Sequence, residues 1–232
     1  MATEEQSIRT HLVQNQEHGV LVSAEGIGEQ ARGVPRVLIT MGSDSDLPLM
    51  MKAVDTLRYE FGVTCLVQIN SVHRDLRSVV RHIDNLPESV QVVIACAGGA
   101  AHLPGNIADL RGDLPVIGVP RDLGALQGID ALLSMVQMPA GAPVAVMAIG
   151  EAGAVNAAIH AAKDLSIADP ALKVRLRAYA EKRKQRVADQ NQTLEQKLTD
   201  LCPIKKWPDV SAPTSSASKG ELNVADEEVQ KL

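Results

Sequence analysis

Three short stretches gather the side chains that could do chemistry: Met41-Gly-Ser-Asp-Ser-Asp-Leu-Pro48, Asn70-Ser-Val-His-Arg-Asp75 and Ala95-Cys-Ala-Gly-Gly-Ala-Ala-His-Leu-Pro-Gly105. In the second, His73 is a candidate for proton transfer, because imidazole titrates near neutral pH. Arg74 beside it suits a fork of hydrogen bonds to phosphate. In the first, Gly42 permits a turn and Ser43 or Ser45 can bond a phosphate at a helix N-terminus. Either Asp44 or Asp46 can cap that helix, and Asp46 can equally hold ribose hydroxyls. In the third, small side chains let a ligand approach the backbone, and a glycine loop between strand and helix offers N–H groups to an anion. His102 there could line a pocket or bond to backbone. Each stretch also has a plain structural reading: helix capping, a surface His-Arg pair, a tight packing corner.

The elements that must position these stretches decide between the readings. Apolar strand-like runs lie at 37–40, 63–69, 92–95, 116–119 and 144–149, and helical periodicity at 47–60, 74–86, 104–110, 125–136 and 152–165. Five strands with intervening helices predict an α/β fold, a three-layer flavodoxin-like doubly wound parallel sheet. Ligands of such sheets bind beyond the carboxyl ends of the strands. Loops 41–47, 70–76 and 96–105 follow three of those strands, so they are expected to converge on one site.

Around this catalytic domain, placed at 35–167, the chain divides into appendages. Residues 1–34 read as an N-terminal arm, in part helical, and 168–201 as a charged C-terminal helical arm after the break at Pro170. That arm is either a solvated helix or one packed on a neighbouring subunit. Residues 202–232, with Pro203, Pro208, Pro213 and the cluster Thr214-Ser-Ser-Ala-Ser218, read as a disordered tail. One Trp, two Tyr and one Phe in 232 residues leave no aromatic platform for single-stranded nucleic acid. A net charge of −5 disfavours nucleic acid and anionic membranes, and no run is long and apolar enough for a membrane span. The three cysteines have no metal-ligand spacing; Cys65 and Cys96 read as buried thiols of a reducing compartment, and the cytoplasm is the expected location. His11, His18, His82 and His160 read as structural or exposed.

Several chemistries lack their signatures: there is no Cys/His metal set, no G-x-S-x-G elbow, no Walker loop and no GxGxxG. What remains is a small phosphorylated substrate and cofactor-free proton transfer.

Gly42-Ser-Asp-Ser-Asp46, Ser71-Val-His-Arg74 and Ala97-Gly-Gly-Ala-Ala-His-Leu-Pro-Gly105 stand in an order and spacing that resemble a known family. Pro115-Val-Ile-Gly-Val-Pro120, Leu133-Ser-Met-Val-Gln-Met-Pro139 and Ala148-Ile-Gly-Glu-Ala-Gly153 continue the pattern. The family is that of N5-carboxyaminoimidazole ribonucleotide mutase and aminoimidazole ribonucleotide carboxylase, of purine biosynthesis. The resemblance covers about residues 36–167. It implies an isomerase that moves a carboxylate from the exocyclic nitrogen to carbon 4 of the imidazole ribonucleotide, without cofactor or metal, as a homo-octamer. His73 would be the general acid and base. Ser43, Asp46, Ser71, Arg74, Gly98, Gly99, Ala100, His102 and Leu103 would bind substrate. Arg74 resembles the mutase branch; the branch using free carbon dioxide typically has Lys there. The alternatives are direct carboxylation by carbon dioxide, action on another heterocyclic nucleotide, or a non-catalytic nucleotide-binding or assembly protein.

The chain departs from the family pattern at Val72, Asp75, Asn106 and the loop Arg121-Asp-Leu-Gly124. Asp75 can serve as a helix cap, yet it sets a carboxylate beside the expected phosphate clamp. The Arg121 loop ends a strand and could touch ligand or a neighbouring subunit.

Overall fold

The computed structural model describes residues 12–15, 19–23 and 34–201. Seven strands form one sheet: β1 (Leu12–Asn15), β2 (Gly19–Val22), β3 (Val37–Met41), β4 (Cys65–Ile69), β5 (Val92–Ala97), β6 (Val116–Pro120) and β7 (Ala145–Val146), in the order β1-β2-β4-β3-β5-β6-β7. From β4 through β7 neighbouring strands are parallel. Strands buried on both faces read as unbroken apolar runs, and β3, β5 and β6 are buried at every residue.

Alternation along each strand divides the core in two. Val37, Ile39, Met41, Val92, Ile94 and Cys96 face helices α1 (Leu47–Asp55) and α5 (Glu151–Leu165). Leu38, Leu66, Val93, Ala95 and Ala97 face α2 (Leu76–Asp84), α3 (Leu103–Leu110) and α4 (Ile129–Val136). Ala154, Ala157, Ala158, Ala161 and Ala162 are all buried. Small side chains along this face let α5 sit close to the sheet, and in its first turn a Cβ on Gly153 would collide with the Ala148 carbonyl of the preceding loop.

Three features differ from the sequence reading, each for a local reason. The N-terminal arm, read as in part helical, supplies two strands among its described residues, the patch Val20-Leu21-Val22 included: β2 pairs antiparallel with β4, and β1 with β2. The fifth parallel strand is two residues long. Its chain still follows β6, with Met147 N donating to Gly118 O and Gly150 N to Pro120 O, but the regular ladder stops after Val146. The helix expected from 125 starts at Ile129, because Gly124, Gln127 and Gly128 take positive φ, which a right-handed helix does not admit. Of the remaining expectations, His11, His18 and the tail 202–232 lie outside the described residues.

Helix α6 (Pro170–Leu201) begins with Asp169 as its cap: Oδ1 accepts from Leu172 N at 3.0 Å, and Oδ2 from Arg36 Nη1 at 2.6 Å. Its first turns dock on the same chain. Arg175 Nη1 donates to Phe61 O at 2.7 Å, the Tyr179 and Phe61 rings meet edge to face at 5.2 Å, and Lys182 pairs with Glu60 at 2.7 Å. The chain divides into two compact units at Arg183/Lys184, within this helix. In the second unit the described side chains of the helix are exposed, Val187, Leu194, Leu198 and Leu201 among them, and Gln185 bonds Asp189 four residues on.

Candidate active site

Because β4, β3 and β5 are neighbours, the loops that leave their carboxyl ends emerge side by side. Met41 is in register with Ile69 on one flank and Cys96 on the other. The following loops enclose a cavity of about 240 Å³. Ser43, Asp46, Ser71, His73, Arg74, Gly98 and Ala100 line it, as expected from sequence.

The His73 loop is fixed from below. Asn70, buried at the end of β4, donates its backbone N–H to Met41 O and its amide to Thr40 Oγ1 and Gln68 Oε1. Both amide hydrogens being used, Asn70 Oδ1 accepts, so His82 Nδ1 must donate to it across 2.8 Å. His82 is thus structural, as read. Arg74 N and Asp75 N both return to Ser71 O, closing the turn that presents His73.

His73 does not stand alone. Its Nε2 lies 2.9 Å from His102 Nδ1, and the rings meet edge to face with centroids 4.9 Å apart. One of the two nitrogens carries the hydrogen and the other accepts it, so at least one ring is neutral in this arrangement. Two proton carriers therefore stand in series at the cavity, with His73 Nδ1 left for a ligand.

Arg74 is exposed, and among the described residues its guanidinium has no ion-pair partner, which leaves it available to an anion. Asp75 does not compete for it. Its carboxylate caps α2, accepting from Ser78 N at 3.0 Å and Ser78 Oγ at 2.6 Å, and the Ser78 hydroxyl followed by its N–H hold it below the usual carboxylate range. Asn106 likewise turns inward, its amide donating to His102 O at 2.8 Å. Two of the departures from the family pattern are thereby local helix chemistry.

In the first loop neither aspartate caps α1; Ser43 instead caps the short 3-10 turn Asp44–Asp46 before it, its Oγ accepting from Ser45 N at 3.3 Å and donating to Asp44 Oδ1. Asp46 makes no cap bond and is buried; its Oδ1 accepts from Arg121 Nε at 3.1 Å. Beneath the floor, burial pushes the Cys96 thiol up to about 12, so it is an un-ionised packing group. Burial does the same to Cys65.

Three expected contributors stand apart from the cavity. His102 meets it only through His73 and lines a neighbouring cavity of about 270 Å³ with Asn106 and Ser134. Leu103 is buried in the core between α3 and the sheet, where its apolar side chain belongs. Gly99 takes φ +61° and supplies the turn, its carbonyl accepting from Ser134 Oγ, rather than a wall of the cavity. Conversely, Asn70, Val72, Ala97 and Leu123 line the cavity without having been named as ligand-binding residues. The signal for each was its place in a loop that follows a strand's carboxyl end.

The AIR carboxylase family model matches residues 36–186. The chain belongs to this family. It is 46% identical over 164 residues to the N5-carboxyaminoimidazole ribonucleotide mutase of Thermotoga maritima, covering 70% of this chain and 94% of that protein. It is 48% identical over 163 residues to the mutase of Pyrococcus horikoshii, covering 70% and 90%. The crystal structure of Treponema denticola PurE superposes with a TM-score of 0.61 at 26% identity, over 69% of this chain and 98% of that one. The family match includes all three loops of the site. It stops within α6, close to the boundary between the two compact units.

Proposed function

We propose that this protein converts N5-carboxyaminoimidazole ribonucleotide to 4-carboxy-5-aminoimidazole ribonucleotide, in de novo purine biosynthesis. The observation that carries the reading is the His73–His102 pair at a cavity whose other walls offer Arg74, Ser43, Asp46 and the small chain of Ala97-Gly98.

The substrate's phosphate pairs with Arg74 and the Ser71 hydroxyl, and with Ser43 once its O–H turns from Asp44 to the phosphate, beside the backbone of the glycine loops. Asp46 accepts from the sugar hydroxyls. The carbamate C–N bond breaks with its electron pair left on nitrogen, and His73 delivers a proton there. Carbon dioxide stays beside the ring against Ala97, Gly98 and Ala100, whose small side chains let it lie close to carbon 4. Recapture is then effectively intramolecular, which removes the entropic cost of a bimolecular encounter. The electron pair of the ring forms the new bond at carbon 4, and the proton of that carbon returns to His73. The reaction closes with no net proton and no redox change. His102 Nδ1, in contact with His73 Nε2, keeps the ring oriented and gives its proton a second place to reside.

Exposed apolar side chains support assembly of several copies of the chain. Ile129, Leu133 and Val136 lie along one face of α4, and Leu47, Met51 and Ile69 border an apolar cavity of about 440 Å³ beside β2. We place the protein in the cytoplasm as a homo-octamer; its two buried un-ionised thiols suit a reducing compartment.

The test follows the carbon atom. With a ¹³C-labelled carbamate and excess unlabelled bicarbonate, trapped recapture predicts label retained in the product. Complete washout would replace the mutase reading with direct carboxylation by free carbon dioxide.

A further inference from the structure

Arg121 is a charged residue beside the cavity that the reaction above does not use. Its loop follows β6, one strand beyond the three that carry the reacting groups. Three of its nitrogens are engaged: Nε with Asp46 Oδ1 at 3.1 Å, Nη1 with Asp122 Oδ1 at 3.1 Å, and Nη2 with the Ser45 carbonyl at 3.3 Å. Its stem crosses Gly98, where a Cβ would come within 3.2 Å of Arg121 Cβ, so the glycine makes room for the crossing. Asp122 in turn abuts Gly150 at the start of α5. One side chain thus ties the first loop to the glycine loop and to the strand beyond it.

The chemistry of Asp46 gives this brace its purpose. A carboxylate with 6% exposure must be compensated by charge or hydrogen bonds. Arg121 supplies both, to one oxygen only. Among the described residues Oδ2 has no partner, which leaves it to a ligand. With its forks already committed, the guanidinium is poorly placed to clamp a phosphate itself, whereas Arg74 is free to do so.

We propose that Arg121 is a positioning residue that holds Asp46 so that its second oxygen recognises the sugar hydroxyls of the nucleotide. This rests on the ribonucleotide reading above. It assigns selectivity for ribose to an Arg–Asp pair whose members lie 75 residues apart.

The experiment measures calorimetric affinity for 5-aminoimidazole ribonucleotide and for its analogues lacking the 2′- or the 3′-hydroxyl. Wild type is expected to prefer the parent nucleotide, and D46N to lose that preference. R121M is expected to lose about tenfold in the preference, the worth of one hydrogen bond to a charged group, with weaker change for the deoxy analogues. R121K keeps a cation for Asp46 but loses the fork, and should restore about half of the lost preference on a logarithmic scale. Thermal melts identify a variant that fails to fold; R121K then carries the comparison. Equal weakening for all three nucleotides in R121M would overturn the proposal and point to phosphate contact or general loosening. An unchanged preference in D46N would overturn it too. Failure of wild type to bind the parent nucleotide would instead remove the functional reading beneath it.

Discussion

His73 meets the requirements of the proposed proton transfer because its Nε2 is engaged by His102 while the ring faces the cavity. H73N keeps a polar group of similar reach and removes the titrating one. We expect it to bind 5-aminoimidazole ribonucleotide with wild-type affinity and to lose about 10²- to 10⁴-fold in kcat, measured by single-turnover kinetics. Retained turnover would remove His73 from the mechanism. The cysteines give a second check. The thiols of Cys65 and Cys96 are raised to about 12 by burial, so C202S protein at pH 7 should resist iodoacetamide until it is unfolded. Much of the site was legible at this scale. His73, Arg74, Ser43 and Asp46 announce themselves because each is a chemistry-bearing residue directly after an apolar strand. The His73–His102 contact and the Arg121–Asp46 bond were not, since each joins loops whose relative heights depend on turn geometry. That Asp46 leaves the α1 N-terminus uncapped and turns to Arg121 is a choice residue preferences alone do not make.

The elements hold the loops through a few points of close approach, and these make the sharpest stability predictions. Gly153 stands where any Cβ would collide with the Ala148 backbone, so G153A should cost about 3 kcal/mol or more in urea melts, although alanine is the better helix former. Stability equal to wild type would show that the α5 approach is looser than described. At the other end of the sheet, the N–H of Leu172, then Arg36, hold Asp169 below the usual carboxylate range. A carboxyl lowered in the folded state stabilises fully above its unfolded value, near 4, and that stabilisation is lost as pH falls through the folded value. D169A should therefore destabilise by about 1 kcal/mol at pH 7, with the difference from wild type shrinking below about pH 4. A difference that grows toward acid would contradict the assignment. The parallel sheet was readable because its strands are continuous apolar runs. Strand β2 was not, since its four residues, Gly19–Val22, carry too short a pattern to separate strand from arm.

At the scale of the molecule, the site lies in the first compact unit, and the family match runs three residues past its end. Removing residues 187–232 keeps the matched segment and the docked turns of α6, so turnover should stay within about twofold of wild type and sedimentation should be unchanged. Truncation after Ile167 instead strips Leu172, Leu176 and Tyr179 from the core and should destabilise the protein outright. If the shorter truncation lost assembly, the distal helix would belong to the interface between copies. The order β4-β3-β5 ultimately makes one site of three distant loops, and everything proposed for the chemistry depends on those loops meeting the same nucleotide. The most direct measurement is turnover of the purified protein on N5-carboxyaminoimidazole ribonucleotide, with 5-aminoimidazole ribonucleotide plus bicarbonate in a parallel reaction. Rapid formation of the 4-carboxylate in the first reaction alone is the expected result. Formation in the second alone, or in neither, would contradict the carboxylate transfer assigned to His73 and its cavity.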